Sequence, residues 1–516
     1  MATERGAKGG LTKRASLNAL AAVIEYGARL VVGFVVNPIL VAGLGGFAFG
    51  VWQVLGRLVG YMSAAGGRPA QALKWSIANR QASSDIDAKR RQVGSSLIVA
   101  TVFLPILVPI GFVIAWFVPG WLDAAPDMVW PIRVAAGLLV ANLILLNFLD
   151  VPRSVLEGEN LGYKRMGLSA LLVVAWGGLT ILAVKTGMGL PGVALATVVT
   201  TILTATTYLF IVRTHVSWFK VRRPSRAEVQ GFLGLSWWFL GWRLVMQILR
   251  SSDMVVLGVA DSAELVSVYA LTRYVPETLT TLVSMVVMGV APGLGGLIGS
   301  GQLDKSVAVR AELMTFSWLL ATVAGAGFLM WNRSFVGLWV GDAFYAGELE
   351  NLLIAALVTQ FVFIRIDAHI IDLTLDLKQK VLVGALAGTV AVALSTAFVL
   401  AGGGIVGLCA GFLIGRGILT LVYPAIVGRV LDIRFTRQVG RAVRPVLVTV
   451  VLCGIALAVG RQARVDAWLP LAGVSIITVL TVGPIAFLAG LDRQGRTRLT
   501  TRVRRVAQTF RGRGGS

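Results

Sequence analysis

Apolar stretches of about twenty residues recur from one end of this chain to the other, and that recurrence limits its fold more than any other property. Runs such as Ser96 to Val118, Met166 to Val184 and Ala467 to Leu491 reach or approach the roughly 20 residues that a helix needs to cross a bilayer core. Strands of an outer-membrane barrel are about 10 residues long and alternate in character, and these runs do neither. Composition agrees. The 516 residues are 56% hydrophobic and 14% charged, with a mean hydropathy of +0.80, whereas an ordinary soluble domain carries roughly 25% charged residues.

The expected fold is therefore an all-α integral membrane protein. Fourteen transmembrane helices are placed at 16–42, 46–66, 92–118, 131–152, 166–184, 190–212, 230–259, 263–290, 311–331, 349–373, 381–401, 403–427, 445–460 and 467–490. The first run is read as a retained anchor, being long and without a small-residue cleavage site. Residues 1–15 form a basic cytoplasmic start, 16–214 a first lobe of six helices, 215–229 a basic linker and 230–427 a second lobe of six. Residues 428–490 add two helices, and 491–516 form a basic tail.

Basic residues in short loops stay cytoplasmic, which tests the span count. With the amino terminus inside, inner segments hold three quarters of the 47 Lys and Arg, while the outer loops hold only Lys185, Arg333, Arg461 and Arg464. The bias holds to the end, as an even span count requires, and both termini are expected in the cytoplasm. The net charge of +22 is thus mostly topology. The tail from Arg493 to Arg513 reads as touching anionic lipid, and no nucleic-acid partner is expected.

Seven arginines lie inside the expected spans: Arg29, Arg57, Arg243, Arg250, Arg273, Arg365 and Arg416. Each costs roughly 2.5 to 3.5 kcal/mol near a bilayer centre on insertion scales, so it should face a polar cavity or a partner. Glu25, Asp253, Glu277 and Asp367 share these spans. Glu25 with Arg29, Arg250 with Asp253 and Arg273 with Glu277 stand three or four residues apart, on one helical face, and are charge partners or ion-coupling groups. Seven cations against four carboxylates leave a surplus that an anionic ligand such as a diphosphate would fill, because guanidinium groups stay charged and bind phosphate oxygens in bidentate fashion.

An internal repeat adds to this, as many transporters are duplicated bundles with the substrate between them. A shift of 216 residues puts Asn37-Pro38-Ile39-Leu40 on Asp253-Met254-Val255-Val256 and Arg57 on Arg273.

Enzyme chemistry finds little support. Outer segments around 119–130 and 332–348 are short and hold no paired carboxylates with histidine. A phosphate-binding loop is absent from the sequence. His215 and His369 are far apart, and Cys409 and Cys453 make no metal cluster, so no catalytic residue, metal or cofactor is expected. Asp85-Ile86-Asp87 has the look of a metal-binding triplet but is read as a solvated loop.

The stretch from Asn18 through Tyr26 into Asn37-Pro38-Ile39-Leu40, the turn Gly43-Leu44-Gly45, the segment Asp253 to Tyr269 and Phe335-Val336-Gly337-Leu338-Trp339-Val340-Gly341 together resemble the polysaccharide exporters of the multidrug, oligosaccharidyl-lipid and polysaccharide (MOP) superfamily. That family includes Wzx-type flippases and the lipid II flippase. The resemblance implies a V-shaped pair of six-helix lobes in the cytoplasmic membrane, moving an undecaprenyl-diphosphate-linked glycan to the outer leaflet by alternating access. Lipid II flippases carry charged residues on the first helix and arginines on the second and eighth that are thought to engage the diphosphate; by position Arg29, Arg57 and Arg273 match those three places, while Glu25 matches only loosely. The detail is closer to the Wzx-type group, implying an O-antigen or exopolysaccharide repeat unit, with a glycan polymerase and glycosyltransferases as partners. Rival readings are a lipid II flippase, a cation-coupled drug or metabolite exporter, and a scaffold for glycan enzymes.

Overall fold

A computed structural model describes residues 2–67, 69–81, 83–373, 378–493, 495–497 and 499–501. The protein is 89% helical, with no strand among the described residues. Two compact units form, Met1–Val266 and Ser267–Ser516.

The first unit holds α1 (Ala2–Ala65), α2 (Pro69–Asn79), α3 (Ile86–Val102), α4 (Leu104–Trp121), α5 (Pro126–Leu149), α6 (Val151–Gly158), α7 (Met166–Lys185), α8 (Gly189–His215) and α9 (Arg226–Ala260). Long α1 is not one rod. Gly45 sits at φ 82° and ψ 165°, a region open to glycine alone, so two expected spans meet there at the Gly43-Leu44-Gly45 turn. Against α1 pack α7 and α9, and α5 packs on α4 and α8. Short α2 and α6 cross closely: a Cβ on Gly158 would lie 2.8 Å from that of Ile77, so only glycine lets them touch.

The stretch expected as a basic linker, 215–229, is hydrogen-bonded to α3. Arg90 Nε donates to Trp218 O at 2.9 Å, and Arg222 N donates to Arg90 O at 3.3 Å. Arg222 also pairs with Asp87, and Arg91 with Glu228 at 2.8 Å. The Arg222 contact holds the Asp87 carboxyl below its ordinary range. Asp85 caps α3 by accepting Ala88 N at 2.8 Å. The acidic triplet is therefore structural, and no group of three His, Cys, Asp or Glu among the described residues suits a metal.

Helix α10 (Ala263–Thr272) carries the junction between the units. The second unit continues with α11 (Tyr274–Gly299), α12 (Leu303–Trp339), α13 (Glu348–Leu373), α14 (Lys378–Phe398), α15 (Gly404–Val430), α16 (Phe435–Gln462) and α17 (Trp468–Gly490). Helix α12 is its hub, touching α11, α13, α16 and α17. The last two helices are held to it by indole donors, Trp318 Nε1 to Thr449 Oγ1 at 2.9 Å and Trp331 Nε1 to Thr478 Oγ1 at 2.8 Å, the hydrogen-bonded contact that lipid-immersed helices use. Their outer faces, with Val446, Leu447, Val450 and Leu480, are exposed and apolar, as lipid contact demands.

Helices α14 and α15 form a hairpin in which glycines replace side chains. A Cβ on Gly407 would lie 3.0 Å from the Phe398 backbone, and on Gly411 and Gly415 it would overlap the backbones of Ser395 and Ala391. Spacing by four puts these glycines on one stripe.

Ten stretches of the described residues are long and apolar enough to cross a membrane. Two of them, Leu20–Ala65 and Lys378–Val430, exceed one span and are broken by the positive-φ glycines 45, 402 and 404. The basic tail beyond residue 501 lies outside the described residues.

Candidate functional site

The charged residues expected inside the spans separate into three groups. In the first unit, Arg29 on α1 donates to Glu25 one turn earlier, Nη2 to Oε1 at 2.6 Å, as the spacing predicts. Its side chain is otherwise open, 59% exposed. Glu25 and Arg29 line a cavity of about 580 Å³ together with Lys74, Arg153, Glu157 and Arg165.

This cavity assembles from five elements. Lys74 comes from α2, and Arg153 and Glu157 from α6, which starts with Pro152 in its first turn, where the missing N–H costs nothing. Asn160, in the left-handed region at φ 57°, an allowance asparagine makes readily, turns the chain into the 3-10 turn Gly162–Arg165. That turn aims Arg165 inward. Arg165 Nη1 meets Glu25 Oε2 at 3.4 Å and the Tyr208 hydroxyl of α8 at 3.2 Å, and its Nη2 meets Glu157 Oε1 at 2.8 Å. Glu157 also takes Arg153 Nε at 3.0 Å and Lys74 Nζ at 2.9 Å. Four cations thus share Glu25 and Glu157, with Asp150 3.9 Å from Arg153 as a third carboxylate behind them, and among the lining side chains the cations outnumber the carboxylates.

Burial pushes the Glu157 carboxyl up, but Arg153, Lys74 and Arg165 outweigh it and hold the group at about 2. Because the folded value lies below the ordinary 4.5, its contribution to stability is present above that value and is lost as pH falls toward 2. The thermal midpoint of purified protein is expected to drop between pH 6 and pH 3. Glu157→Gln should begin lower at pH 6 and fall less steeply; an unchanged slope would refute the assignment.

A second group joins α1 to α9. Arg57 is half-buried, its Nε 3.2 Å from Met254 Sδ, and Tyr61 bonds to Ser252. Asp253 is fully buried, its Oδ1 accepting the Met254 amide at 2.9 Å. Arg243 is half-buried and Arg250 exposed, so the expected Arg250–Asp253 pairing joins an exposed position to a buried one.

The third group lies in the second unit. Arg273 is buried and donates through Nη1 to the Tyr269 hydroxyl at 2.9 Å, while Glu277 is half-buried one turn on. Arg416, only 2% exposed, lies between the rings of Phe361 and Phe412, 4.9 and 5.0 Å from their centroids. Arg365 stands 5.9 Å from the Phe361 centroid and meets His369 Nε2 at 3.4 Å. Asp367, two residues from Arg365, pairs instead with Arg310 of α12: its Oδ1 accepts Nη2 at 2.8 Å and Nε at 3.0 Å.

Sequence reasoning placed Lys74, Arg153 and Arg165 among loop charges, where topology alone explained them. Their spacing to Glu25 carries no helical signal, since Arg165 is 140 residues away.

No family model and no curated protein matches the chain, but solved structures do. The inward closed conformation of the lipid II flippase MurJ superposes with a TM-score of 0.68 at 12% identity, covering 90% of this chain and 97% of that one. An inward-facing multidrug resistance MATE family transporter of the MOP superfamily gives 0.64 at 15% identity, covering 80% of this chain and 99% of that one. An outward-facing MATE family transporter gives 0.55 at 16%, covering 82% and 97%. At such identities the likeness is one of fold. The chain shares the all-helical fold of these membrane proteins.

Proposed function

We propose that this protein is a flippase carrying an undecaprenyl-diphosphate-linked oligosaccharide from the inner to the outer leaflet of the cytoplasmic membrane, for O-antigen or exopolysaccharide synthesis. The observation that carries the reading is the cavity of Glu25, Arg29, Lys74, Arg153, Glu157 and Arg165, in which cations outnumber carboxylates two to one. A cation exporter needs the opposite balance. A diphosphate needs this one: planar guanidinium forks pair with phosphate oxygens, and hydrogen bonds between charged groups are roughly twice as strong as neutral ones. Arg57, Arg243, Arg250, Arg273, Arg365 and Arg416 are further candidate contacts for the headgroup, with Asp253, Glu277 and Asp367 as charge partners.

Supporting the reading are the fold shared with the lipid II flippase MurJ and the apolar outer faces along which a polyprenyl tail stays in lipid. The proposed topology has fourteen spans, lobes at 16–214 and 230–427 and both termini in the cytoplasm; the proposed partners are a glycan polymerase and glycosyltransferases.

Vesicles reconstituted with the protein and a fluorescent polyprenyl-diphosphate oligosaccharide test it. Headgroups are expected to become accessible to a membrane-impermeant quencher from both leaflets only when protein is present, and Arg57→Ala and Arg273→Ala should slow the exchange. Protein-independent exchange, or unchanged exchange in both variants, would overturn it, and cation efflux without lipid movement would favour a drug exporter.

A further inference from the structure

A second polar cavity, of about 480 Å³, opens in the second unit where α12 ends and α13 begins, lined by Arg333, Asp342, Tyr345, Gly347, Glu348 and Arg464. It is shaped by backbone that glycine alone permits. Gly341 and Gly347 have φ values of 102° and 118°, which L side chains rarely adopt. At Gly337 a Cβ would lie 2.6 Å from Asp342 Oδ1, so the missing side chain is what lets Asp342 fold down over α12.

Buried polar groups fix the loop from beneath. Thr272 Oγ1 donates to Phe344 O at 3.2 Å and accepts Ala346 N at 3.0 Å. Asn332 Nδ2 lies 3.1 Å from Thr272 O and 2.9 Å from Asn351 Oδ1, and Thr272, Asn332 and Asn351 are all buried. The α16–α17 connection supplies the remaining wall: Val465 N donates to Ser334 Oγ at 3.0 Å, and Arg464 reaches Asp342 Oδ2 at 2.6 Å and Asp466 Oδ1 at 3.0 Å. A polar cavity held this firmly has its donors and acceptors arranged before any ligand arrives.

Its charge balance differs from that of the first unit. Arg333 and Arg464 face Asp342 and Glu348, two cations against two carboxylates, so an anion entering here would meet as much repulsion as attraction. A hydroxyl-rich uncharged ligand meets neither, because each hydroxyl donates to a carboxylate and accepts from a guanidinium. Tyr345 adds a phenol at the same rim. Two of the four basic residues in the expected outer loops, Arg333 and Arg464, converge on this one cavity. We infer that the cavity of Arg333, Asp342, Tyr345, Glu348 and Arg464 is a saccharide subsite, which takes uncharged sugar rings. The inference rests on the flippase reading for the identity of its cargo, and it gives the last two helices a part in recognition through Arg464.

Purified full-length protein, fluorescently labelled and applied to an array of neutral and uronic-acid oligosaccharides, tests it. Retention on neutral glycans is expected, reduced at least tenfold by Asp342→Asn and by Glu348→Gln with thermal midpoints unchanged. Two variants are used because Asp342 holds Arg464 and Glu348 stands 4.0 Å from Arg333, so a loss transmitted through one displaced arginine would not appear in both. Retention on no glycan, on acidic glycans alone, or undiminished in both variants would overturn the assignment. Vesicle exchange of a polyprenyl diphosphate bearing no sugar reads the flippase proposal separately, so that failure there leaves the array result standing.

Discussion

Asp367→Ala should cost this protein roughly 3–5 kcal/mol of stability, the usual penalty for stranding one member of a buried ion pair. Asp367 is 3% exposed and Arg310 9%, and two of the three Arg310 guanidinium nitrogens, Nε and Nη2, donate to the same carboxylate oxygen. Removing the carboxylate leaves the guanidinium in a site from which water is excluded, with its desolvation cost uncompensated. The double change Arg310→Met with Asp367→Leu should restore most of the loss, because well-packed apolar residues often replace a buried pair at no cost. Thermal unfolding of the purified single and double variants makes a double-mutant cycle. A single variant as stable as the parent would show that the pair does not anchor α12 to α13.

Arg29→Ala is expected to separate transport from stability. Among the described residues its ion-pair partner is Glu25, which Arg165 also holds; Arg29 itself is 59% exposed, and pairs with an exposed member contribute about 0–1 kcal/mol, so the thermal midpoint should hardly move. Exchange of the lipid-linked glycan should nevertheless slow tenfold or more, since a hydrogen bond to a charged group contributes about 1.5–3 kcal/mol and 1.4 kcal/mol is a factor of ten. Arg29→Lys keeps the charge but loses the fork, and should fall between. Vesicle exchange rates beside unfolding midpoints check this. Parallel losses in both would make Arg29 a structural residue.

What could be read from the sequence was local. The Arg29–Glu25 pair follows from helical spacing, and the break in α1 follows from the Gly43-Leu44-Gly45 turn. Partners brought together by tertiary packing were invisible. Asp367 stands beside Arg365 in sequence, yet Arg310, 57 residues away, takes it. Lys74, Arg153 and Arg165 were hidden for a different reason: the positive-inside bias already accounted for them, and an explained charge draws no further question. The linker expected at 215–229 was read from its basic and proline content, which reports neither the Asp87–Arg222 pair nor the hydrogen bonds of Arg90. Glycines 407, 411 and 415 stand four apart, the spacing of close helix contact in membranes, but the apolar composition of the span drew no reading from them.

That glycine stripe limits how a neighbouring charge can move. Where two helices touch backbone to backbone, neither can roll about its own axis without collision, and the pair keeps only the freedoms of a plank: to tilt, slide or swing. Arg416 follows Gly415 directly and is wedged between Phe361 and Phe412. Its guanidinium cannot be turned away by rotating one helix. Apart from a change of its own rotamer, this charge moves with the α14–α15 hairpin, so its position follows the tilt of the pair.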